Sequence, residues 1–172
     1  MGIFGAQPRK VLALVCAACV AMLAFGLYLQ HGVGLEPCPM CIVQRYALIG
    51  LAVFAFAGAL MQGNGGRKGL AALGLLAAGF GAFVAARQSF LQWYPPEFAS
   101  CGRDFYGMIE TFPLQRAIPM IFKGSGDCTA VDWTFLGGSI ANWSFVAFVV
   151  LGLVLLAVIA SPAKRQRRVG DR

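Results

Sequence analysis

The sequence predicts an all-α integral membrane protein, a four-transmembrane-helix bundle with two extracytoplasmic loops, the second carrying a short interfacial helix. Three observations predict it. The 172 residues are 59% hydrophobic and 12% charged, about half the charged share of an ordinary soluble domain. Four uncharged apolar stretches are each long enough to cross a hydrocarbon core, which takes about 20 residues as helix. The basic residues gather beside those stretches instead of spreading along the chain. A surface this poor in charge is not a solvated one, so soluble globular, disordered and collagen-like classes are excluded. The formal net charge of +7 forms no patch suited to nucleic acid, and no nucleic-acid partner is expected.

The length suits one domain, taken as 1–172. The uncharged stretches are 11–30, 46–66, 69–86 and 133–163, which set spans at about 11–30, 43–62, 69–89 and 139–160. Lipid offers no solvent to open backbone groups, so each span is helical. The first is longer than the 7–15-residue core of a signal peptide, and no small-x-small cleavage site follows it. Its Cys16-Ala17-Ala18-Cys19 only faintly resembles a lipoprotein cleavage site, so the span is retained. The second is bracketed by Arg45 and Arg67. The third carries Gly74, Ala78, Ala82 and Ala86 at intervals of four, a small-residue stripe that lets helices approach closely in a bilayer. The fourth is most apolar over 140–160.

Charge at the flanks gives orientation. Arg9 and Lys10 precede the first span, Arg67 and Lys68 sit in the Gly-rich turn 63–69, and Lys164, Arg165, Arg167, Arg168 and Arg172 follow the fourth. The loop at about 31–42 holds Glu36 as its one formal charge. The loop at about 90–138 sets Arg103, Arg116 and Lys123 against Glu97, Asp104, Glu110, Asp127 and Asp132. Positive charge stays on the cytoplasmic side, so both termini and the middle turn are predicted cytoplasmic and the other two loops outward.

The six cysteines form two populations. Cys16 and Cys19 lie within the first span, where nothing positive or polar would support a thiolate, and they read as small apolar residues. The other four fall in the outward loops. Cys38-Pro39-Met40-Cys41 ends the first, and Cys101 and Cys128 bracket 26 residues of the second. An oxidising compartment outside would let these persist as disulfides. Four cysteines allow three pairings. Two structural staples, or a zinc site with four thiolates, compete with a redox reading. Zinc sites of that kind more often use two C-x-x-C knuckles and only one exists here, so no metal is expected. A staple has no need of C-x-x-C, the spacing of reactive dithiols with depressed pKa.

Position adds to the redox reading. Cys41 would begin the second helix, where open N–H groups and the helix dipole favour an anion. Arg45 lies one turn deeper on the same face. Its head could snorkel to the interface, or it could hold a cation near a thiolate.

These residues resemble the disulfide bond formation protein B (DsbB) family of inner-membrane thiol oxidases along essentially the whole chain. The resemblance is carried by Cys38-Pro-Met-Cys41-Ile-Val-Gln-Arg45-Tyr, Leu91-Gln-Trp-Tyr-Pro-Pro-Glu-Phe-Ala-Ser-Cys101, Gly124-Ser-Gly-Asp-Cys128 and Trp133-Thr-Phe-Leu-Gly137. Cys16 and Cys19 stand outside the family's working set. The resemblance implies disulfides Cys38–Cys41 and Cys101–Cys128 and an electron path between them. Cys101 would form a mixed disulfide with a periplasmic DsbA-like partner. Cys128 would attack at Cys38, leaving Cys41 to face a membrane quinone, ubiquinone or menaquinone. Arg45 matches the family's quinone-site arginine, and Gln92 resembles a second polar residue there. The implied location is the bacterial inner membrane, multi-pass.

In the second loop, Leu114, Ala117, Ile118, Ile121 and Phe122 follow helical spacing opposite Gln115, Arg116 and Lys123, interrupted by Pro119. This predicts a short helix lying on the outer membrane surface. Three rivals stand beside the thiol-oxidase reading: a vitamin K epoxide reductase-type thiol/quinone enzyme, a non-enzymatic membrane subunit with structural disulfides, and an inward carrier of reducing equivalents that would need Cys16 and Cys19.

Overall fold

The computed structural model describes residues 8–95, 129, 131 and 133–161. Cys101, Cys128, the amphipathic segment 113–123 and the basic cluster from Lys164 lie outside the described residues. Four helices carry the fold: α1 (Pro8–His31), α2 (Pro39–Leu60), α3 (Asn64–Trp93) and α4 (Ile140–Ala160). A two-residue-per-strand hairpin, β1 (Thr134–Phe135) and β2 (Gly138–Ser139), precedes α4. All four helices are long and apolar enough to cross a membrane. The predicted four-helix membrane bundle is the observed one.

Local chemistry sets the helix ends. Pro39 starts α2, a position where its missing N–H costs nothing. Cys38 is the cap, and its sulfur accepts the Cys41 N–H at 3.3 Å. Ser139 caps α4 in the same way, accepting from Asn142 N. Between the strands, Leu136 (φ 50°) and Gly137 (φ 80°) both adopt left-handed backbone, as a two-residue hairpin turn with right-handed strand twist requires. Glycine accepts that geometry freely and leucine does not, so Gly137-Gly138 is the one turn signal at the hairpin and Leu136 gives none.

The third helix departs from its sequence-based limits. Asn64, Gly65, Gly66, Arg67 and Lys68 belong to α3, and only 61–63 make the turn. Glycines weigh against helix, which is why 63–69 reads as a turn. Here Arg67 N–H bonds Gly63 O, and the Arg67 guanidinium caps back onto Met61 O. At the other end the helix runs on to Trp93. Thirty residues at 1.5 Å each make about 45 Å, against about 30 Å of hydrocarbon. Gln88 and Gln92 therefore ride on a continuous helix, a more rigid mount than a loop.

Packing joins α1 to α2, α2 to α3, and α3 to α4, while α1 and α4 touch only lightly. The close α3–α4 contact rests on small residues. Ala71, Gly74, Ala78, Gly81 and Ala85 are buried on α3. The stripe thus shifts from the strict four-residue interval toward the 3.6-residue turn, and Ala86 is exposed. At Gly81 a Cβ would sit 2.3 Å from Phe148 Cε1, so only glycine admits that ring. The outer face is apolar, with Leu14, Leu76, Phe83 and Leu153 exposed, as lipid-facing surface should be. Cys19 is fully buried in the main core beside Leu12 and Val15, with Cys16 packed against the same cluster. Both are placed as apolar filling.

Candidate functional site

The ends of α1 and α3 and the starts of α2 and α4 share one end of the bundle. There the loose α1–α4 seam opens into a cavity of about 600 Å³. Its deeper wall is apolar, from Met22, Leu23, Leu48, Phe148 and Leu151. Its polar groups are Cys38, Cys41, Gln44, Arg45, Gln88 and Gln92, with Gln30, Glu36, Ser139 and Ser144 also in the lining. Such a lining suits a ligand with a large apolar body and a small polar head.

Cys38 and Cys41 lie on the first turn of α2 with sulfurs 2.7 Å apart. The cap geometry causes this, because the residue capping a helix and the third residue beyond it lie on the same side. Cys38 is buried and Cys41 half-buried. Gln88 stands opposite them on α3. Its Nε2 lies 3.2 Å from Cys38 Sγ and 3.3 Å from Cys41 Sγ, and its Oε1 lies 3.7 Å from Cys41 Sγ. Gln44, one turn below Cys41 on α2, donates Nε2–H to Gln88 Oε1 at 2.7 Å. The two cysteines also belong to a small apolar cluster with Met40, Val84 and Leu91, apart from the main core that holds Cys19.

Arg45 points across to α1. Its Nη1 donates to Gln30 Oε1 at 2.5 Å, and its Nη2 to Gly26 O at 3.0 Å. It lines the cavity, but its hydrogen bonds go to α1. Among the described residues, Gln88 bonds both sulfurs from α3. Gln92, one turn beyond Gln88, also lines the cavity, and its Oε1 accepts from Ser139 Oγ at 2.6 Å. Through this bond α3 holds the cap of α4.

The hairpin closes the cavity with aromatic rings. Trp133 meets Phe25 edge-on at 5.9 Å and stacks near Phe135 at 6.1 Å. Trp143 Nε1 donates to Phe135 O at 2.9 Å, and a Cβ at Gly138 would lie 2.9 Å from that same nitrogen. The sequence reading placed Cys38, Cys41, Arg45 and Gln92, and the structure gathers all four on one cavity. It quoted Gln44, Trp133 and Phe135 within motifs but gave them no role, and it did not single out Gln88 or Trp143. A signal existed for the glutamines, since amides within apolar spans are costly and need partners, and Gln88 lies at i−4 from Gln92 on one face.

Fold and site together define a multi-pass membrane protein that brings a C-x-x-C thiol pair to the wall of an apolar cavity within a four-helix bundle. The chain belongs to the DsbB family: the model described as Disulfide bond formation protein DsbB matches residues 8–158. Proteins named Disulfide bond formation protein B are similar to it over most of their length. That of Paracidovorax citrulli is 74% identical over 154 residues, covering 90% of this chain and 88% of the relative. That of Polaromonas naphthalenivorans is 72% identical over 159 residues, covering 92% and 95%. That of an Acidovorax strain is 72% identical over 152 residues, covering 88% and 87%. The chain is therefore a disulfide-forming membrane oxidoreductase.

Proposed function

We propose that the protein reoxidises a periplasmic DsbA-like dithiol protein and passes the electrons through Cys101–Cys128 and Cys38–Cys41 to membrane quinone. The bundle would lie in the bacterial inner membrane with both termini cytoplasmic. One observation carries the reading: a C-x-x-C pair with sulfurs 2.7 Å apart opens onto a largely apolar cavity at one end of the bundle, whose wall also holds Arg45 and Gln92.

Thiolate attack on disulfide sulfur supplies every step up to the cavity. A partner thiolate attacks Cys101, forming a mixed disulfide and releasing Cys128 as thiolate. Cys128 attacks Cys38, forming Cys38–Cys128 and releasing Cys41 as thiolate. The partner's second thiolate resolves its own mixed disulfide, leaving oxidised partner and a Cys101 thiolate. Cys101 then attacks Cys128, restoring Cys101–Cys128 and leaving Cys38 and Cys41 both reduced. The position of Cys41 at the start of α2 favours its anion, through open N–H groups and the helix dipole.

The cavity fits a quinone by the chemistry of its walls. Guanidinium and amide N–H groups suit carbonyl oxygens, and aliphatic and aromatic side chains suit a ring and an isoprenoid tail. Arg45 and Gln92 would hold the head, with Trp133, Phe135 and Trp143 beside it. When bound, a quinone supplies an acceptor for the two electrons and two protons of the Cys38–Cys41 dithiol.

Serine substitution tests the order of exchange. Cys128→Ser leaves Cys101 as a thiol, so its thiolate should attack the disulfide of added oxidised partner, and the resulting mixed disulfide should accumulate on non-reducing gels because Cys128 is no longer there to displace the partner. Cys101→Ser should trap no such species and should leave added reduced partner reduced. Trapping in Cys101→Ser and none in Cys128→Ser would reverse the two assignments.

A further inference from the structure

Two glutamines are buried in the bundle against the thiol pair, Gln44 at 5% exposure and Gln88 at 4%. Buried amides need partners, and these two have each other, but their arrangement also has a direction. A Gln amide can turn either its carbonyl oxygen or its N–H groups toward a neighbour. A thiol accepts either face, whereas a thiolate is stabilised only by donors. Gln44 Nε2, itself a donor, takes Gln88 Oε1 at 2.7 Å. With its oxygen engaged there at 2.7 Å, and farther from Cys41 Sγ at 3.7 Å, Gln88 presents Nε2 to both sulfurs, at 3.2 Å from Cys38 and 3.3 Å from Cys41. The near-equal distances mean that a negative charge on either sulfur finds the same donor.

We propose that Gln88 is the donor that stabilises the thiolate of the Cys38–Cys41 pair, and that Gln44 is a positioning residue that fixes the orientation of the Gln88 amide. The inference rests on the reading of Cys38–Cys41 as the working dithiol. Among the described residues, the other charged groups around the pair come from three elements. Arg45 on α2 is bonded to Gln30 and Gly26 on α1. Glu36 is exposed in the α1–α2 connection. Arg87 on α3 lies over the Phe90 ring, 5.7 Å from its centroid. The α4 residues lining the cavity, such as Ser144, Ala147 and Phe148, do not titrate near neutral pH. An amide does not titrate either, so Gln88 offers the same donor at every working pH. The bland alternative is that the pair merely holds α2 to α3, as interhelical amides do in membranes.

Alkylation of the reduced, full-length protein separates the two. Iodoacetamide is applied across a pH series, and modification at Cys38 and Cys41 is read site by site by mass spectrometry. Methionine replaces glutamine in each variant because it keeps the unbranched length and removes the amide. Loss of a hydrogen bond to a charged group predicts that Gln88→Met raises the pH of half-maximal alkylation by about one to two units. Gln44→Met should raise it by less, since Gln88 remains but is free to turn. Adding Gln44→Met to Gln88→Met should then change nothing further, because the one acts through the other. Helix-holding alone would lower thermal stability and leave the midpoint in place. An unchanged midpoint in either single variant, or additive shifts in the double, overturns the proposal. If Gln88→Met gives no monodisperse protein, Gln44→Met decides: a raised midpoint supports the proposal and an unchanged one overturns it. Failure of the underlying reading has its own signature, namely Cys38→Ser or Cys41→Ser protein that still oxidises the partner.

Discussion

Arg45 of α2 and Gln30 of α1 are joined by a hydrogen bond of 2.5 Å, with Gly26 O accepting from the other terminal nitrogen of the same guanidinium. Gly26 and Gln30 are four residues apart, so both acceptors lie on one face of α1. The head group is therefore clamped across the helix interface at the cavity wall, which is not the posture of a side chain snorkelling to the membrane surface. Both acceptors are neutral, so neither cancels the charge. This leaves a cation facing the space where electron transfer is proposed.

Arg45→Met keeps the apolar stem and removes the charge, so the bundle should still insert and fold. Thiol exchange with the partner should continue through Cys101 and Cys128. Quinone reduction should require higher quinone concentration and run slower, by roughly 10- to 150-fold for the loss of one charge-assisted contact. Arg45→Lys should recover only part, because a point charge cannot reproduce two divergent N–H contacts. Steady-state kinetics with varied quinone check this; an unchanged quinone dependence would reduce Arg45 to a tether between α1 and α2.

The four spans were legible because burial in lipid leaves a long uncharged signature, and α4 at Ile140–Ala160 nearly coincides with the span read at 139–160. The start of α3 was not legible, because Gly65, Gly66 and Gly69 weigh against helix locally, while backbone bonds from Arg67 override them. The cysteines and Arg45 were legible through spacing: C-x-x-C at a helix start, with a cation four residues on. Gln88 was hidden for a different reason. Its importance lies in facing Cys38 and Cys41 from another helix, 50 and 47 residues away, and one-dimensional spacing does not carry that relationship. The same holds for the hairpin, whose Leu136 occupies a backbone region in which leucine gives no warning.

Cys16 and Cys19 should be dispensable. Replacing both with Ala ought to leave partner oxidation nearly intact, with a modest fall in stability from the small void left at the fully buried Cys19. Loss of turnover in that variant would revive the inward-carrier reading. Ser at Cys38, Cys41, Cys101 or Cys128 should each abolish turnover.

Gly81→Ala should destabilise the bundle, because its new methyl would lie 2.3–2.7 Å from three ring atoms of Phe148. Overpacking of this kind costs about 1–3 kcal/mol. Thermal unfolding in detergent should show the loss, and Phe148→Leu in the same chain should recover part of it. Gly81→Ala with undiminished stability would mean that α3 and α4 adjust easily at this contact.

The proposed orientation rests on the basic clusters of the sequence and is checked by labelling. A thiol reagent unable to cross membranes should reach Cys38, Cys41, Cys101 and Cys128 of reduced protein from the outer side. Labelling of these cysteines only from the cytoplasmic side would invert the topology.

The central claim is that electrons from a protein dithiol leave through Cys38 and Cys41 to a quinone in the cavity. Anaerobic titration of the purified protein with a reduced DsbA-like partner, following thiols and quinone together, tests it most directly. One quinone should be reduced for each partner disulfide formed, and Cys41→Ser should prevent both. Partner oxidation without quinone reduction, or quinone reduction that persists in Cys41→Ser, would contradict the account.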